Sequence, residues 1–305
     1  MISIQFSGRL GNLLFQIAAT IAYAMELEHA FEFESASLLA WKNSIFRELS
    51  PFIVDTYETT TIPYNETDTT KLLIERPSPE ERTQLVGFFQ DYRIFDKWRS
   101  TILGITGISR RRQEVLSSQK FDLGSVENKP TISIHIRRGD YADAKCYHLL
   151  LNEYYYKNAV LNILSRSGSE SGVRFIVFCE PNAQKDAEKI VDKLKSTTDV
   201  LGYQAEYVFF KKKCSNPLED WEELMAMSGC NHHIIANSTF SWWSAYLNPS
   251  HNKIVCYPDQ WYNHQLYYLS TEGLEMPGWT KIAAWNPAEY KCVCYEMIAN
   301  GQMVV

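Results

Sequence analysis

The sequence lacks several patterns that would each indicate a particular class of site. Its seven cysteines are an odd number without C-x-x-C spacing, which fits a reducing compartment better than a disulfide framework. It contains no D-x-D triplet, so the paired carboxylates that hold a divalent metal on a diphosphate are missing. It also contains no G-x-G-x-x-G segment, so we predict no dinucleotide site. We therefore expect neither a metal ion nor a cofactor.

An excess of positive charge and long apolar runs are missing as well. The net charge of -6 argues against a general nucleic-acid binder and leaves room for a local basic site. We expect no apolar run long enough to span a bilayer, and a strand pattern begins at Ile2, which leaves no room for a leader or an anchor. From these features we predict a globular cytoplasmic protein.

The most informative segment is 131–141, which reads T-I-S-I-H-I-R-R-G-D-Y. Its first six residues alternate polar and apolar side chains, the pattern of a strand with one apolar face. The strand runs into Arg137, Arg138, Gly139 and Asp140. Paired guanidinium groups in a strand-end loop suit a diphosphate, because each presents a planar fork of donors and stays charged at any working pH. The alternative is a set of solvated arginines, with Arg138 paired to Asp140.

A second loop, at residues 7–12, follows a predicted strand at 2–6 and precedes a predicted helix at 13–27. The helix is apolar nearly all round, which predicts that it is buried. A strand, a glycine-containing loop and a buried helix begin many nucleotide-binding half-domains, and they serve equally well as bare scaffold.

The third segment, 237–243, reads N-S-T-F-S-W-W and follows a short apolar strand. Asn237, Ser238 and Thr239 are all good N-cap residues for a helix that starts there. A helix N-terminus at a strand end offers free N–H groups and a partial positive charge, which suits a diphosphate. The alternative is that the hydroxyl groups only cap the helix.

Several neighbours of this segment are expected to be structural. We predict that at least one of Trp242 and Trp243 lies in the core. His232 and His233 have no carboxylate or thiolate at ligand spacing, so we expect satisfied structural histidines rather than a metal pair. A single cysteine such as Cys230 is expected to be buried rather than reactive.

Strands and helices alternate through the second half of the chain. We predict strands at 131–136, 173–179, 205–210, 233–236 and 253–257, and helices at 153–165, 183–195, 218–227 and 240–247. This rhythm predicts an α/β protein with a parallel, doubly wound sheet. Glycine, asparagine and proline within 121–130 mark a boundary between domains 1–128 and 129–305.

Taken together, the three segments resemble those of the α-1,2-fucosyltransferases. That family shares G-R-L-G-N-x-x-F-Q, H-x-R-R-G-D and N-S-T-F-S-W-W, which stand here in the same order at 8–16, 135–140 and 237–243. The resemblance implies a GT-B fold, in which two Rossmann-like doubly wound domains face a cleft. Domain 1–128 would form the acceptor side and part of the donor cleft, and domain 129–305 would bind GDP-fucose.

The resemblance also implies a reaction. L-Fucose would move from GDP-β-L-fucose to the 2-hydroxyl of a terminal galactose in an α linkage. This is an inversion by single displacement, in which a base helps to remove the hydroxyl proton. Asp140 is the first candidate for the base and His135 the second. Without a metal ion, Arg137, Arg138 and the helix that begins near Ser238 would neutralise the leaving diphosphate.

By the same resemblance, particular residues are assigned to each substrate. The candidates for GDP-fucose are Arg9, Gly11, Asn12, Arg137, Arg138, Asn237, Ser238, Thr239 and Phe240. Gln90 and Asp91, which follow a predicted strand at 85–89, and Trp261 are candidates for the acceptor. A helix cap and core packing explain these three residues equally well. Loops 35–83, expected to be surface structure, and 259–268 would read the second sugar.

The resemblance makes GDP-fucose and a galactose-terminated oligosaccharide the expected partners. A lipid-linked acceptor would bring the protein into peripheral contact with a membrane. The alternatives are a fucosyltransferase of another linkage, such as an α-1,6 or protein-directed enzyme, and a non-catalytic protein that binds nucleotide sugars or glycans. A phosphatase is a further alternative, because a histidine with arginines also serves phosphoryl chemistry.

Overall fold

The computed structural model describes residues 1–55, 61–65, 82–118, 120–123, 129–144, 147–168, 172–213, 219–263, 266 and 269–286. The chain divides into two units. Unit 1 consists of Met1–Ser118, Glu219–Met225 and Glu272–Met276, and unit 2 consists of Gln119–Leu218, Ala226–Thr271 and Pro277–Val305. The predicted boundary after residue 128 adjoins 124–128, which lie outside the described residues, and it stays a prediction.

Unit 1 combines a parallel sheet with helices. Its strands and helices are β1 (Ile2–Gln5), α1 (Leu10–Leu27), β2 (Phe33–Glu34), β3 (Ile53–Val54), β4 (Thr61–Asn65), β5 (Arg82–Val86), α2 (Tyr92–Phe95), α3 (Arg99–Thr106) and α4 (Ile108–Ser117). The larger sheet has the order β1-β5-β4 with both pairings parallel, and β2 pairs with β3. β1 leads into α1 through the predicted loop, as in the first half of a nucleotide-binding fold.

Helix α1 is buried on almost every side, as its composition predicts. By length and composition it would be able to span a membrane, which corrects the expectation that no run is long enough. However, 83% of this helix is buried inside the structure. The apolar surface of α1 therefore packs against protein in this fold.

Two further expectations about unit 1 are wrong. The segment 35–83 is not only surface structure, because Leu38, Phe46 and Leu49 are buried and β4 joins the sheet. The strand predicted at 85–89 is β5, which spans Arg82–Val86 instead. The backbone of Phe89 has a φ of 50°. This left-handed conformation is incompatible with a strand. Residues 56–60 and 66–81 lie outside the described part.

Unit 2 contains the regular alternation that the sequence predicts. Its strands and helices are β6 (Thr131–Ile136), α5 (Gly139–Asp143), α6 (Glu153–Ser167), β7 (Val173–Cys179), α7 (Gln184–Val200), β8 (Ala205–Phe209), α8 (Asp220–Ser228, whose first part belongs to unit 1), β9 (His232–Ile234), α9 (Thr239–Leu247), β10 (Val255–Pro258) and β11 (Thr280–Ile282). The strand order is β11-β10-β9-β6-β7-β8, and every pairing is parallel. This is the Rossmann order, so the predicted α/β, doubly wound architecture is confirmed for this unit.

The central strand β6 is buried on both faces. The sequence predicts one apolar face, yet the polar residues Thr131, Ser133 and His135 are buried as well as the three isoleucines. A central strand of a doubly wound sheet is covered by helices on both sides, which removes the solvated face. The Ser133 hydroxyl is satisfied by His233 Nδ1 at 2.8 Å.

The neighbours that were expected to be structural are so. Trp242 and Trp243 are both buried. His233 bonds Ser133 through Nδ1 and contacts Asn248 Nδ2 at 2.9 Å through Nε2, while His232 Nδ1 accepts from a backbone N–H. Burial raises the pKa of the Cys230 thiol to about 12, which disfavours the reactive thiolate.

Candidate active site

The predicted residues of the second half meet at one edge of the six-stranded sheet. Strands β7 and β8 extend the sheet on one side of β6, and β9, β10 and β11 extend it on the other. The topology therefore switches direction between β6 and β9. Ligands of doubly wound sheets bind at the carboxyl ends of the strands at such a switch point. Arg137 follows β6 directly, and Asn237 and Ser238 lie between β9 and α9.

Arg137 is held by two carboxylates. Its side chain is 13% exposed, and its terminal nitrogens donate to Glu180 Oε1 and to Asp140 Oδ1. The guanidinium also lies 5.1 Å from the centre of the Tyr141 ring. Its Nε is buried without a hydrogen-bond partner. A buried donor in this state costs about 1–3 kcal/mol, so a further acceptor at Nε would be favourable.

Arg138 is engaged with the backbone instead. Its Nη2 donates to the Leu151 carbonyl at 2.6 Å and its Nη1 to the Arg137 carbonyl at 3.1 Å. Arg138 thereby connects the turn after β6 to the loop that precedes α6. The expected alternative partner of Asp140 was Arg138, whereas the structure pairs Asp140 with Arg137. The predicted phosphate contact of Arg138 stays a prediction.

Glu180 is a site residue that the sequence interpretation missed. Its Oε1 accepts from Arg137, and its Oε2 accepts from the Arg138 backbone N–H at 3.3 Å. The available signal was an acidic residue immediately after a strand. Because Ile136 is in register with Cys179, the next residues of β6 and β7 emerge side by side. That register is a tertiary property, and the sequence alone does not give it.

His135 is a buried, neutral imidazole beside this charge cluster. Its ring centre lies 5.8 Å from that of Phe240, and its Nδ1 has no hydrogen-bond partner. Burial, and secondly the charge of Arg137, lower the pKa of His135 to about 3. An imidazole with so low a pKa is a weak base, which favours Asp140, whose side chain is 46% exposed, as the proton acceptor.

Asn237 connects three loops at the site. Its Nδ2 donates to the backbone carbonyls of Leu149 and Trp261 at 3.0 and 2.7 Å. The backbone carbonyl of Asn237 accepts from the Tyr141 hydroxyl at 3.0 Å. Tyr141 in turn stacks on His148 with ring centres 4.0 Å apart. These contacts tie the turn after β6 to the start of α9, and they give Asn237 a positioning role within the protein.

The N-terminus of α9 is not capped by the side chain that precedes it. Ser238 is the N-cap residue and is 6% exposed, but its hydroxyl makes no capping hydrogen bond. Its carbonyl accepts from the Trp242 N–H at 3.0 Å, so the helix itself is regular. Thr239 and Phe240 form the first turn and are half-buried. The alternative that Ser238 only caps the helix is therefore wrong.

In unit 1, the loop after β1 lies beside the loop after β5. Asn12 Oδ1 accepts from Gln90 Nε2 at 3.1 Å, which brings a predicted donor-binding residue together with a predicted acceptor-binding residue. Gly8 has a φ of 86°, and a Cβ there would lie 2.1 Å from Asn12 Nδ2, so only glycine fits. Gly11 is buried in the first turn of α1, and Arg9 is exposed.

Two acceptor candidates have structural surroundings. Asp91 is 2% exposed, caps α2 by accepting from the Arg93 N–H at 2.9 Å, and forms an ion pair with the Arg93 guanidinium. The helix-cap alternative thus describes Asp91. Trp261 is 4% exposed, which favours core packing for this residue. In the described residues, no group of three or more His, Cys, Asp or Glu side chains is arranged to hold a metal ion.

Comparison with known proteins identifies the family. The model of glycosyl transferase family 11 matches residues 108–283, which is more than half of the chain. The chain therefore belongs to glycosyl transferase family 11. This assignment agrees with the resemblance drawn from the three segments.

Two relatives from Escherichia coli are similar over part of the chain. One is the O-antigen biosynthesis glycosyltransferase WbnK, 32% identical over 183 residues, which cover 58% of this chain and 55% of the relative. The other is an α-1,2-colitosyltransferase, 25% identical over 191 residues, which cover 60% and 57%. The chain thus spans little more than half the length of these curated relatives.

Solved structures show weaker similarity. A mutant of Arabidopsis thaliana FUT1 in complex with GDP is 12% identical, with a TM-score of 0.45, over 83% of this chain and 69% of that chain. The fucosyltransferase NodZ from Bradyrhizobium is 12% identical, with a TM-score of 0.44, over 81% and 93%. Since both TM-scores are below 0.5, neither similarity supports a further conclusion.

Proposed function

We propose that the chain is a metal-independent, inverting glycosyltransferase that moves L-fucose from GDP-β-L-fucose to the 2-hydroxyl of a terminal galactose. One observation carries the proposal. The charged turn after β6 and the N-terminus of α9 flank the switch point of a Rossmann sheet, and the hydrogen bond from Tyr141 to the Asn237 carbonyl joins them. Membership of glycosyl transferase family 11 supports the reaction class.

The positive groups at this edge suit a leaving diphosphate. Arg137 brings a full charge and an unpartnered Nε, and the start of α9 brings backbone N–H groups with a partial positive charge. As the bond to the sugar breaks, negative charge develops on the β-phosphate, and fixed positive groups stabilise that charge without reorganisation. The imidazole of His135 is neutral and adds no charge of its own at this edge.

Asp140 takes the role of the base in this proposal. Its carboxylate is the exposed member of the Arg137 cluster, so a galactose hydroxyl can approach it. It would accept the proton of the 2-hydroxyl as the new bond to the fucose C1 forms and the bond to the diphosphate breaks. The lack of a D-x-D triplet supports the view that arginine and helix dipole, rather than a metal ion, serve the diphosphate.

A second donor is suggested by one of the relatives. Its name states α-1,2-colitosyl transfer, so a nucleotide-linked colitose is the alternative donor at the same site. The name of the other relative places it in O-antigen biosynthesis, which supports a glycan acceptor that is lipid-linked or free. We propose a cytoplasmic location, with membrane contact only through such an acceptor.

The deciding experiment measures GDP release from GDP-fucose with and without lactose, in the presence of EDTA. Lactose-dependent release that EDTA does not suppress is the expected result, and the linkage of the product follows from its NMR spectrum. GDP release from GDP-colitose but not from GDP-fucose would show that colitose, rather than fucose, is the sugar transferred. Tight binding of GDP-fucose without release would keep the donor and exclude lactose as acceptor. The absence of binding and release with both donors would overturn the proposal.

A further inference from the structure

Glu180 touches three consecutive residues of the turn that follows β6. Its two carboxylate oxygens accept from the Arg137 guanidinium and from the Arg138 backbone N–H. Its side chain also lies against Gly139, where a Cβ would be 3.0 Å from Oε1. We propose that Glu180 is a positioning residue that fixes Arg137 for the diphosphate, an inference that rests on the proposed function.

The two carboxylates around Arg137 differ in exposure. Asp140 is 46% exposed and lies on the neighbouring short helix, so solvent or a substrate hydroxyl can reach its carboxylate. Glu180 is 22% exposed and is bound by a second donor, the Arg138 N–H. We therefore expect Glu180 to keep the guanidinium oriented when an anionic ligand approaches Arg137.

Only a carboxylate of this length satisfies both donors. In a glutamine, one of the two oxygens is replaced by an NH2 group, which would face a second donor either at Arg137 or at the Arg138 N–H. An aspartate is shorter by one methylene group and cannot keep both contacts in place. Charge-assisted hydrogen bonds of this kind are stronger than neutral ones, so their loss moves Arg137 rather than merely weakening its surroundings.

Gly139 supports the same arrangement from the other side. Its φ of 28° lies in the left-handed region, and the Glu180 carboxylate occupies the space next to its α carbon. A side chain at residue 139 would push this carboxylate away from Arg137. Gly139→Ala is therefore expected to act in the same direction as a substitution of Glu180.

The test compares Glu180→Gln and Glu180→Asp with the wild-type enzyme in the GDP-release assay. Because transfer depends on placing reacting groups within fractions of an ångström, we expect kcat/KM to fall by about 10- to 100-fold, mostly in kcat. The thermal midpoint should stay close to that of the wild type. Glu206→Gln is the matched control, because Glu206 pairs with Arg174 at the opposite end of β7.

A double variant separates positioning from general damage. If Glu180 acts through Arg137, Glu180→Gln should change the rate by less than about threefold in an Arg137→Lys background, since the fork that it orients is gone. Additive losses would overturn the inference, as would a Glu180→Gln enzyme with the wild-type rate. A wild-type protein that neither binds GDP nor transfers sugar would instead contradict the proposed function, and this inference with it.

Discussion

Two arginines, one in each unit, differ in which member of the ion pair is buried. Arg93 lies in α2 of unit 1 and Arg137 directly follows β6 in unit 2, and each is paired with an aspartate nearby in sequence and with a distant glutamate. In unit 1 the aspartate is the buried partner, with 3% of its side chain exposed against 41% for Arg93. In unit 2 the arginine is the buried partner, with 13% exposed against 46% for Asp140.

In each pair, the exposed partner compensates the charge of the buried one. Asp91 in unit 1 caps a helix, and Arg93 compensates the charge that this cap brings into the interior. In unit 2 the carboxylates hold an arginine whose Nε still lacks an acceptor. The first pair therefore stabilises the fold, whereas in the proposed function the second holds a positive charge for the diphosphate.

The largest effect is expected for Arg137→Ala. In the proposed function, the Arg137 guanidinium is the full positive charge with which the turn after β6 stabilises the diphosphate, and this substitution removes it. We expect kcat/KM for GDP release to fall by at least about 100-fold, the scale of losing one preorganised donor to a developing anion. Circular dichroism should show a folded protein, and calorimetric binding of GDP should weaken.

A matched control for this prediction is Arg166→Ala. Arg166 is an exposed arginine of the same unit at the end of α6, where it donates to Thr280 Oγ1 at 2.7 Å. Its removal should leave turnover unchanged. If Arg137→Ala kept a rate within fivefold of the wild type, the charge of Arg137 would have no part in the chemistry, and the contrast between the two arginines would fail.

A smaller effect, on stability rather than on rate, is expected for Arg93→Ala. The substitution leaves the Asp91 carboxylate buried without its charged partner. We expect the free energy of unfolding to fall by about 2–3 kcal/mol, at the lower end for a broken buried pair because Arg93 itself is partly exposed. Urea denaturation measures this loss, and transfer by the folded variant should change by less than about threefold.

Lys97→Ala serves as the comparison for Arg93→Ala. Lys97 pairs with Glu26 in the same unit, and both side chains are substantially exposed. Such a surface pair contributes about 0–1 kcal/mol, so the variant should unfold almost like the wild type. Equal losses from Lys97→Ala and Arg93→Ala would show that burial of Asp91 does not govern this pair.

The strands and helices of unit 2 could be predicted because period and composition agree along them. Strand β7 coincides with the predicted 173–179, and α9 begins one residue before the predicted 240. β11 was missed because it is a short edge strand without a clear alternating pattern. The switch point was recognisable only as a general property of such sheets.

The site could be predicted as a set of segments and not as a set of contacts. The resemblance located Arg137, Asp140 and the start of α9, but which side chains are paired depends on register, burial and strand order. Glu180 was therefore not predicted as a site residue, and the different partners of Arg137 and Arg138 could not be predicted. The backbone carbonyls that Arg138 binds have no signature in a sequence.

The smallest expected effect concerns the pH dependence of stability and His135. In the folded protein the pKa of His135 is about 3, whereas an unfolded histidine has an ordinary value of about 6.5. Between these values the unfolded chain binds the additional proton, so stability rises with pH across this window and falls as the solution is acidified. Between pH 7.5 and 5.5, this residue should account for a loss of about 1.4 kcal/mol.

Urea denaturation of the wild type and of His135→Asn over that range isolates the contribution, because the two proteins share all other titratable side chains. The variant should lose about 1.4 kcal/mol less than the wild type on acidification. Parallel curves for wild type and His135→Asn would mean that His135 accepts a proton in the folded state near neutral pH. The imidazole beside Arg137 would then be a second cation at the proposed diphosphate site. Arg137 would no longer be the single charged group that distinguishes this site from the Arg93 pair of unit 1.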